Sequence, residues 1–309
     1  MQKEKPIWVI YGVLLLLAFI WGTSFILMKL ALFNWIEQPV YAAMDVAAMR
    51  ILFAAIALLP VAIMQFSKVP KDKLIWILGV GAFGNLFPAY LFSSAQTELA
   101  SGMTGMLNSL TPLFTLIIAI LLFKTTFSLR QLAGLLLGFI GAIILISDGG
   151  NILQVFSSEA DISIIACGKV ALATVFYGLS VNILKNKLGE VNATAIAAIA
   201  LSMVMPVAII ALIGSDVPDV LVNNPHGVTG MISVLVLAVI GTASALVIFN
   251  ALIKWTDALT ASSVTYVIPV FAAMWGWIVG EEINEWHLLG GVVILLGVAL
   301  VRGLKSEKK

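Results

Sequence analysis

Apolar residues run along this chain in long blocks, each about the length of a bilayer crossing and each parted from the next by a short polar stretch. A helix rises ~1.5 Å per residue, so about 20 mostly apolar residues cross a ~30 Å hydrocarbon layer. On that ruler the sequence predicts ten helical spans, near 8–32, 42–64, 74–95, 100–123, 131–147, 163–185, 193–213, 230–252, 259–280 and 287–303. The fifth and tenth are the shortest and are rich in glycine. The first block continues from Ile7 to about Met28. That exceeds the ~7–15 residues of a signal-peptide core, and no small-residue cleavage site follows, so it reads as a permanent span.

Composition agrees with lipid as the solvent. Of 309 residues, 61% are hydrophobic and 11% charged, and the mean hydropathy is +1.10. A soluble domain needs a far more charged surface. The net charge of +1 gives no basic surface for nucleic acid. Its distribution is more informative than its sum. With the amino terminus placed in the cytoplasm, 14 of the 17 basic residues fall in inside segments, including Lys68, Lys71, Lys73, Lys124, Arg130, Lys185 and Lys187. The other three, Lys29, Arg50 and Lys169, lie within spans. Outside segments collect acids instead, among them Glu98, Asp216, Asp219, Glu281 and Glu282. The positive-inside rule then predicts an all-α integral membrane protein with both termini cytoplasmic.

A repeat is legible at a spacing of 156 to 157 residues, as from Gly22 to Gly178 and from Pro112 to Pro269. Trp21-Gly22-Thr23-Ser24 through Lys29 matches Tyr177-Gly178-Leu179-Ser180 through Lys185, and Thr111-Pro112-Leu113-Phe114 matches Ile268-Pro269-Val270-Phe271 in register. Gly134 with Gly141 is echoed by Gly290 with Gly297. The predicted organisation is a first five-span repeat over 1–147, an extracytoplasmic linker over 148–162, and a second repeat over 163–309. An odd number of spans per repeat makes the second copy enter the membrane upside down. Inverted repeats are the architecture of many secondary transporters, whose site lies near the midplane where the repeats meet.

Trp21-Gly22-Thr23-Ser24-Phe25, Ala47-Ala48-Met49-Arg50, Thr111-Pro112-Leu113-Phe114, and Ile268-Pro269-Val270-Phe271 through Gly280-Glu281-Glu282 to Gly290 and Gly297 resemble the drug/metabolite transporter superfamily, and within it the ten-helix EamA-type permeases. One departure stands out: Phe123, Lys124 and Thr125 replace the Gly-Glu pair in the first repeat. The resemblance implies a plasma-membrane protein of bacterial inner-membrane type that moves small metabolites, often exporting amino acids or related compounds.

Ionisable groups inside the hydrocarbon layer are costly and usually face a cavity or a partner. Arg50, roughly 13 Å into the second span, is the leading candidate for substrate binding. The alternative is a bridge between helices through carbonyls or Asp45. Lys29 and Lys169 read as lysines snorkelling from span ends. Tyr90, Asn108 and Tyr266 join the substrate candidates because Pro88, Pro112 and Pro269 free nearby carbonyls, which are tolerated only beside a cavity or protein. Trp21 is added as a ring able to close over an apolar or aromatic substrate, or simply to pack. Asp45, then Glu98 and Glu282, are the carboxylates available for proton coupling.

The sequence carries no phosphate loop for ATP, no His-Glu-x-x-His pair and no Gly-x-Ser-x-Gly elbow, and implies no cofactor or metal. Gly134-Leu135-Leu136-Leu137-Gly138 is suited to close helix packing, within the chain or across a homodimer. A membrane-embedded enzyme would need a converging nucleophile and base, and a non-transporting sensor or assembly subunit would be expected to carry a soluble output domain. The sequence offers neither.

Overall fold

The computed structural model describes residues 6–34, 38–126, 128–147, 163–255 and 263–302. The interrepeat linker and the basic carboxyl-terminal tail lie outside the described residues. Among those described the protein is helical, with an isolated extended pairing between Phe33 and Pro39. Eight helices are long and apolar enough to cross a membrane. They are α1 (Ile7–Leu32), α2 (Ala43–Phe66), α3 (Lys71–Ala95), α4 (Ser101–Phe123), α5 (Leu129–Ser147), α6 (Ile164–Lys187), α7 (Ala193–Leu212) and α8 (Gly227–Phe249, continuing to Trp255). Two shorter apolar helices, α9 (Ile268–Ile278) and α10 (Glu285–Arg302), occupy the positions of the ninth and tenth predicted spans. A short helix, Val217–Asn223, precedes α8.

α9 is shorter than the sequence suggests for a physical reason. Pro269 stands in its first turn, and the chain just before it forms a tight 3-10 turn over Ser263–Tyr266. The matching Pro112 breaks α4 in the same way, dividing Ser101–Asn108 from Thr111–Phe123. Proline has no N–H to give to the preceding turn and suits the first turn of a helix, so it favours a restart at these two places, whereas Pro60 of α2 and Pro206 of α7 are carried within continuous helices. α3 and α8 are interrupted differently, by π-helical turns over Ala82–Leu86 and Leu237–Ser244. In α3 the missing N–H of Pro88 deprives Gly84 of its usual partner. In α8 the Thr242 hydroxyl donates to the Leu237 carbonyl five residues back, at 3.1 Å, and so enters the ladder itself.

Two long helix pairs organise the packing. α2 lies along α7, where Ala47, Ala48, Ala54 and Ala55 face a run of buried alanines from Ala195 to Ala200. α5 lies along α10, and there the backbones nearly touch: a methyl group on Gly141 would meet Gly290 O at 2.9 Å, and one on Gly297 would meet Gly134 O at 2.6 Å. In a lipid solvent, where burying apolar area between helices gains little, such close approach supplies the dispersion contact that holds helices together. The small-residue face of α5 is thus occupied within the chain.

Candidate functional site

Arg50 enters the interior from α2, roughly 11 Å beyond the helix start by the helical rise. Its Nε donates to Thr242 Oγ1 at 3.0 Å, and the Tyr177 side chain stands within electrostatic reach of its guanidinium. The three residues come from α2, α8 and α6, so one cation ties together helices from both halves of the sequence. Tyr177 stacks on Phe92, with centroids 5.8 Å apart, which fixes the ring that meets the guanidinium. Among the described residues Arg50 has no carboxylate partner: Asp45, on the same helix, makes no ion pair. A partly buried guanidinium with only neutral oxygens against it keeps its positive charge available to an anion.

The other expected residues fall in different settings. Trp21 is partly buried, donates from Nε1 to Gly241 O at 3.1 Å, and meets Phe249 edge-on at 5.1 Å. Its ring therefore seals α1 against the π turn of α8. The Tyr90 hydroxyl is buried and has no hydrogen-bond partner among the described residues. Asn108 closes the first half of α4 and accepts from Thr111 Oγ1 through its backbone carbonyl at 2.7 Å, so its side chain stands at the helix break. Tyr266 ends the 3-10 turn before α9, and its side chain lies outside the described residues. Asp45 is partly buried in the first turn of α2, within electrostatic range of Asp216 and Tyr90.

The remaining carboxylates lie away from Arg50. Glu98 pairs with Lys169 at 3.5 Å, and the same ammonium donates to Ser94 Oγ at 2.9 Å. Lys169 is therefore anchored to the end of α3, in place of the snorkelling expected of it. Glu282 is exposed. Its neighbour Glu281, noted in the sequence as part of the Gly-Glu pair but not as a site candidate, is the one engaged: it accepts from Ser101 N at 2.7 Å, Ser101 Oγ at 2.8 Å and Gly102 N at 3.0 Å. Tyr177 and Thr242 were also missed as partners of Arg50. The repeat had flagged Tyr177 as the counterpart of Trp21, but the partnership depends on how α6 and α2 both pack on α3.

Matched residues make matched contacts. A methyl group on Gly22 of α1 would meet Ile268 O of α9 at 2.9 Å, and one on Gly178 of α6 would meet Thr115 N of α4 at 2.9 Å. Gly241, in the π turn of α8, faces Ser24 of α1, while Gly84, in the π turn of α3, faces Ser180 of α6. α1 thus leans on α8 and α9, as α6 leans on α3 and α4.

Known proteins resemble this chain in sequence and in fold. The model of the EamA-like transporter family matches twice, over residues 7–147 and 164–303. The chain is 23% identical over 291 residues to a probable amino-acid metabolite efflux pump of Salmonella typhimurium, covering 92% of this chain and 91% of that protein. It is 24% identical to a protein of the same description from Escherichia coli, covering 96% of each. It is also 27% identical to the uncharacterized transporter YyaM of Bacillus subtilis, covering 89% of this chain and 90% of that one. A crystal structure at 14% identity shares the fold, with a TM-score of 0.60 over 94% of this chain and 96% of that chain. Two family matches spanning nearly the whole sequence, on a bundle of apolar helices, place the chain in the EamA-like transporter family of the drug/metabolite transporter superfamily, as a multi-pass transporter of the plasma membrane.

Proposed function

We propose that this transporter exports small metabolites, amino acids or related compounds, by alternating access in a ten-span bundle of two inverted repeats with both termini cytoplasmic. The observation that carries this reading is the exchange of contacts between the halves. Gly22 and Ser24 of the first half pack on α9 and α8, and Gly178 and Ser180 of the second pack on α4 and α3. Two halves that make the same contacts with each other's helices have two related packings available, and exchanging them moves access from one side to the other.

Arg50 is the substrate-binding cation in this scheme, held by Thr242 beside Tyr177 and free of a carboxylate among the described residues. A carboxylate-bearing substrate fits that charge, and the names of the Salmonella and Escherichia relatives support amino-acid metabolites as the class. Trp21, Tyr90, Asn108 and Tyr266 complete the proposed site. Tyr90 brings a buried hydroxyl without a protein partner, and Asn108 and Tyr266 bring residues at the helix breaks. Asp45 is the favoured proton-coupling carboxylate, because Glu98 is paired with Lys169 and Glu282 is exposed. Purified protein in liposomes tests the proposal by counterflow of amino acids, amines and nucleosides under imposed proton and sodium gradients. Amino-acid exchange above that of empty vesicles is expected. Rates at the empty-vesicle level for all three classes would defeat it.

A further inference from the structure

We propose that Glu281 is a latch that holds α9 against α4 and keeps the path closed on the side to which the charge distribution assigns the outside; the proposal rests on the alternating-access reading. Three features converge on the contact. Just past the end of α9, Gly280 takes a left-handed conformation (φ 85), which a side chain would strain, and this turn swings the next residue back over the helix end. The Glu281 N–H closes the turn on Gly276 O at 2.9 Å. Its carboxylate then lies across the start of α4 and takes three donors, Ser101 N at 2.7 Å, Ser101 Oγ at 2.8 Å and Gly102 N at 3.0 Å. The first turn of a helix presents unpaired N–H groups and the positive end of its dipole, so a carboxylate is the side chain best suited to cap it. Here the cap is borrowed from another helix, in the other half of the chain, and therefore fastens two helices together.

The rest of the contact fits a closed gate. Below the latch, Gly102 lies against Ala273 and Gly105 against Ala272, so α4 and α9 approach closely there, with Ile283 and Phe25 packed at the edges of the contact. Lys29 borders the same concavity as Gly280 and Glu281, yet its ammonium goes to Gln96 O at 3.4 Å and makes no ion pair with the carboxylate. The carboxylate is thus committed to the helix start. Among the described residues the fastening is also one-sided. Counting the repeat spacing back from Glu281 leads to Lys124, which likewise follows α4 in a left-handed turn (φ 52) but carries a cation, unable to accept from N–H groups. Two related gates with a fastener on one of them bias the resting protein towards closure on the fastened side.

The test is labelling of a reporter cysteine by a membrane-impermeant maleimide, in full-length protein with Cys167 replaced by serine. Ile26→Cys is the reporter, because Ile26 is buried and borders the concavity beside Glu281. In substrate-free proteoliposomes, E281A is expected to raise the labelling rate on the order of tenfold and E281Q by less, since an amide oxygen still accepts. S101A, which removes one of the three donors and leaves the fold alone, is expected to raise it about threefold and decides the matter if E281A does not fold. Labelling unchanged in S101A and in a folded E281A would overturn the latch. Counterflow by the parent protein is read separately, so a chain that transports nothing defeats the alternating-access reading whatever the labelling shows.

Discussion

Replacing Arg50 with methionine separates the two roles open to this residue, substrate anion site and bridge between helices. Methionine keeps the length of the side chain and removes its charge. On the stability side the structure predicts a modest loss. Thr242 Oγ1 keeps its own donation to Leu237 O, so it loses little when the guanidinium goes. The Tyr177 hydroxyl, partly buried beside Arg50, loses the cation that stands next to it, at a cost of at most ~1–3 kcal/mol, partly offset because the charge no longer needs desolvating. The double variant R50M/Y177F removes that hydroxyl while keeping the ring on Phe92, and is expected to recover most of the lost thermal stability. On the transport side the outcome should differ. Losing a charge-assisted contact to a substrate carboxylate costs about 3 kcal/mol, on the order of 150-fold in apparent KM, and Y177F cannot restore it. R50K, with the charge but not the fork, should lie between. Counterflow at matched reconstitution, with unfolding followed in detergent, reads both effects. If R50M transports with the parental KM while its stability falls, Arg50 is a structural bridge and the substrate assignment is refuted.

Further outcomes follow from the packing and the carboxylates. Gly178→Val forces a side chain into the backbone at Phe114 and Thr115, which cannot yield as a side-chain tip would, and is expected to destabilise by at least ~1–3 kcal/mol in detergent unfolding. Gly168→Ala on the same helix meets nothing within 4 Å and should stabilise by about 0.5–1 kcal/mol, so equal effects at the two sites would contradict the packing described. D45N is expected to abolish any dependence of uptake on an imposed proton gradient, whereas E282Q, at an exposed position, should keep it. The reverse pattern would move coupling away from Asp45. E98Q weakens only a partly exposed ion pair with Lys169, so its stability change should stay below about 1 kcal/mol.

Much of this protein follows from its sequence because lipid is a demanding solvent. Every span has to be helical and apolar, so the blocks, their lengths and the repeated Pro112 and Pro269 are written in one dimension. Hydropathy also marked Arg50, since a charge in such a block stands out. It could not say that α9 is cut to Ile268–Ile278, because a hydrophobic run records composition and not where the helix restarts. Nor did it distinguish Glu281 from Glu282. Adjacent acids look alike until the left-handed turn at Gly280 aims one at Ser101 and leaves the other exposed. The partners of Arg50, Thr242 and Tyr177, are distant in sequence and neutral, so no local pattern betrays them. The chain alone determined that the protein is made of long apolar helices, eight of them long enough to cross a membrane. Only the tertiary structure decided that each half packs on the other's helices, because close approach depends on which glycine meets which backbone, a property of two surfaces together.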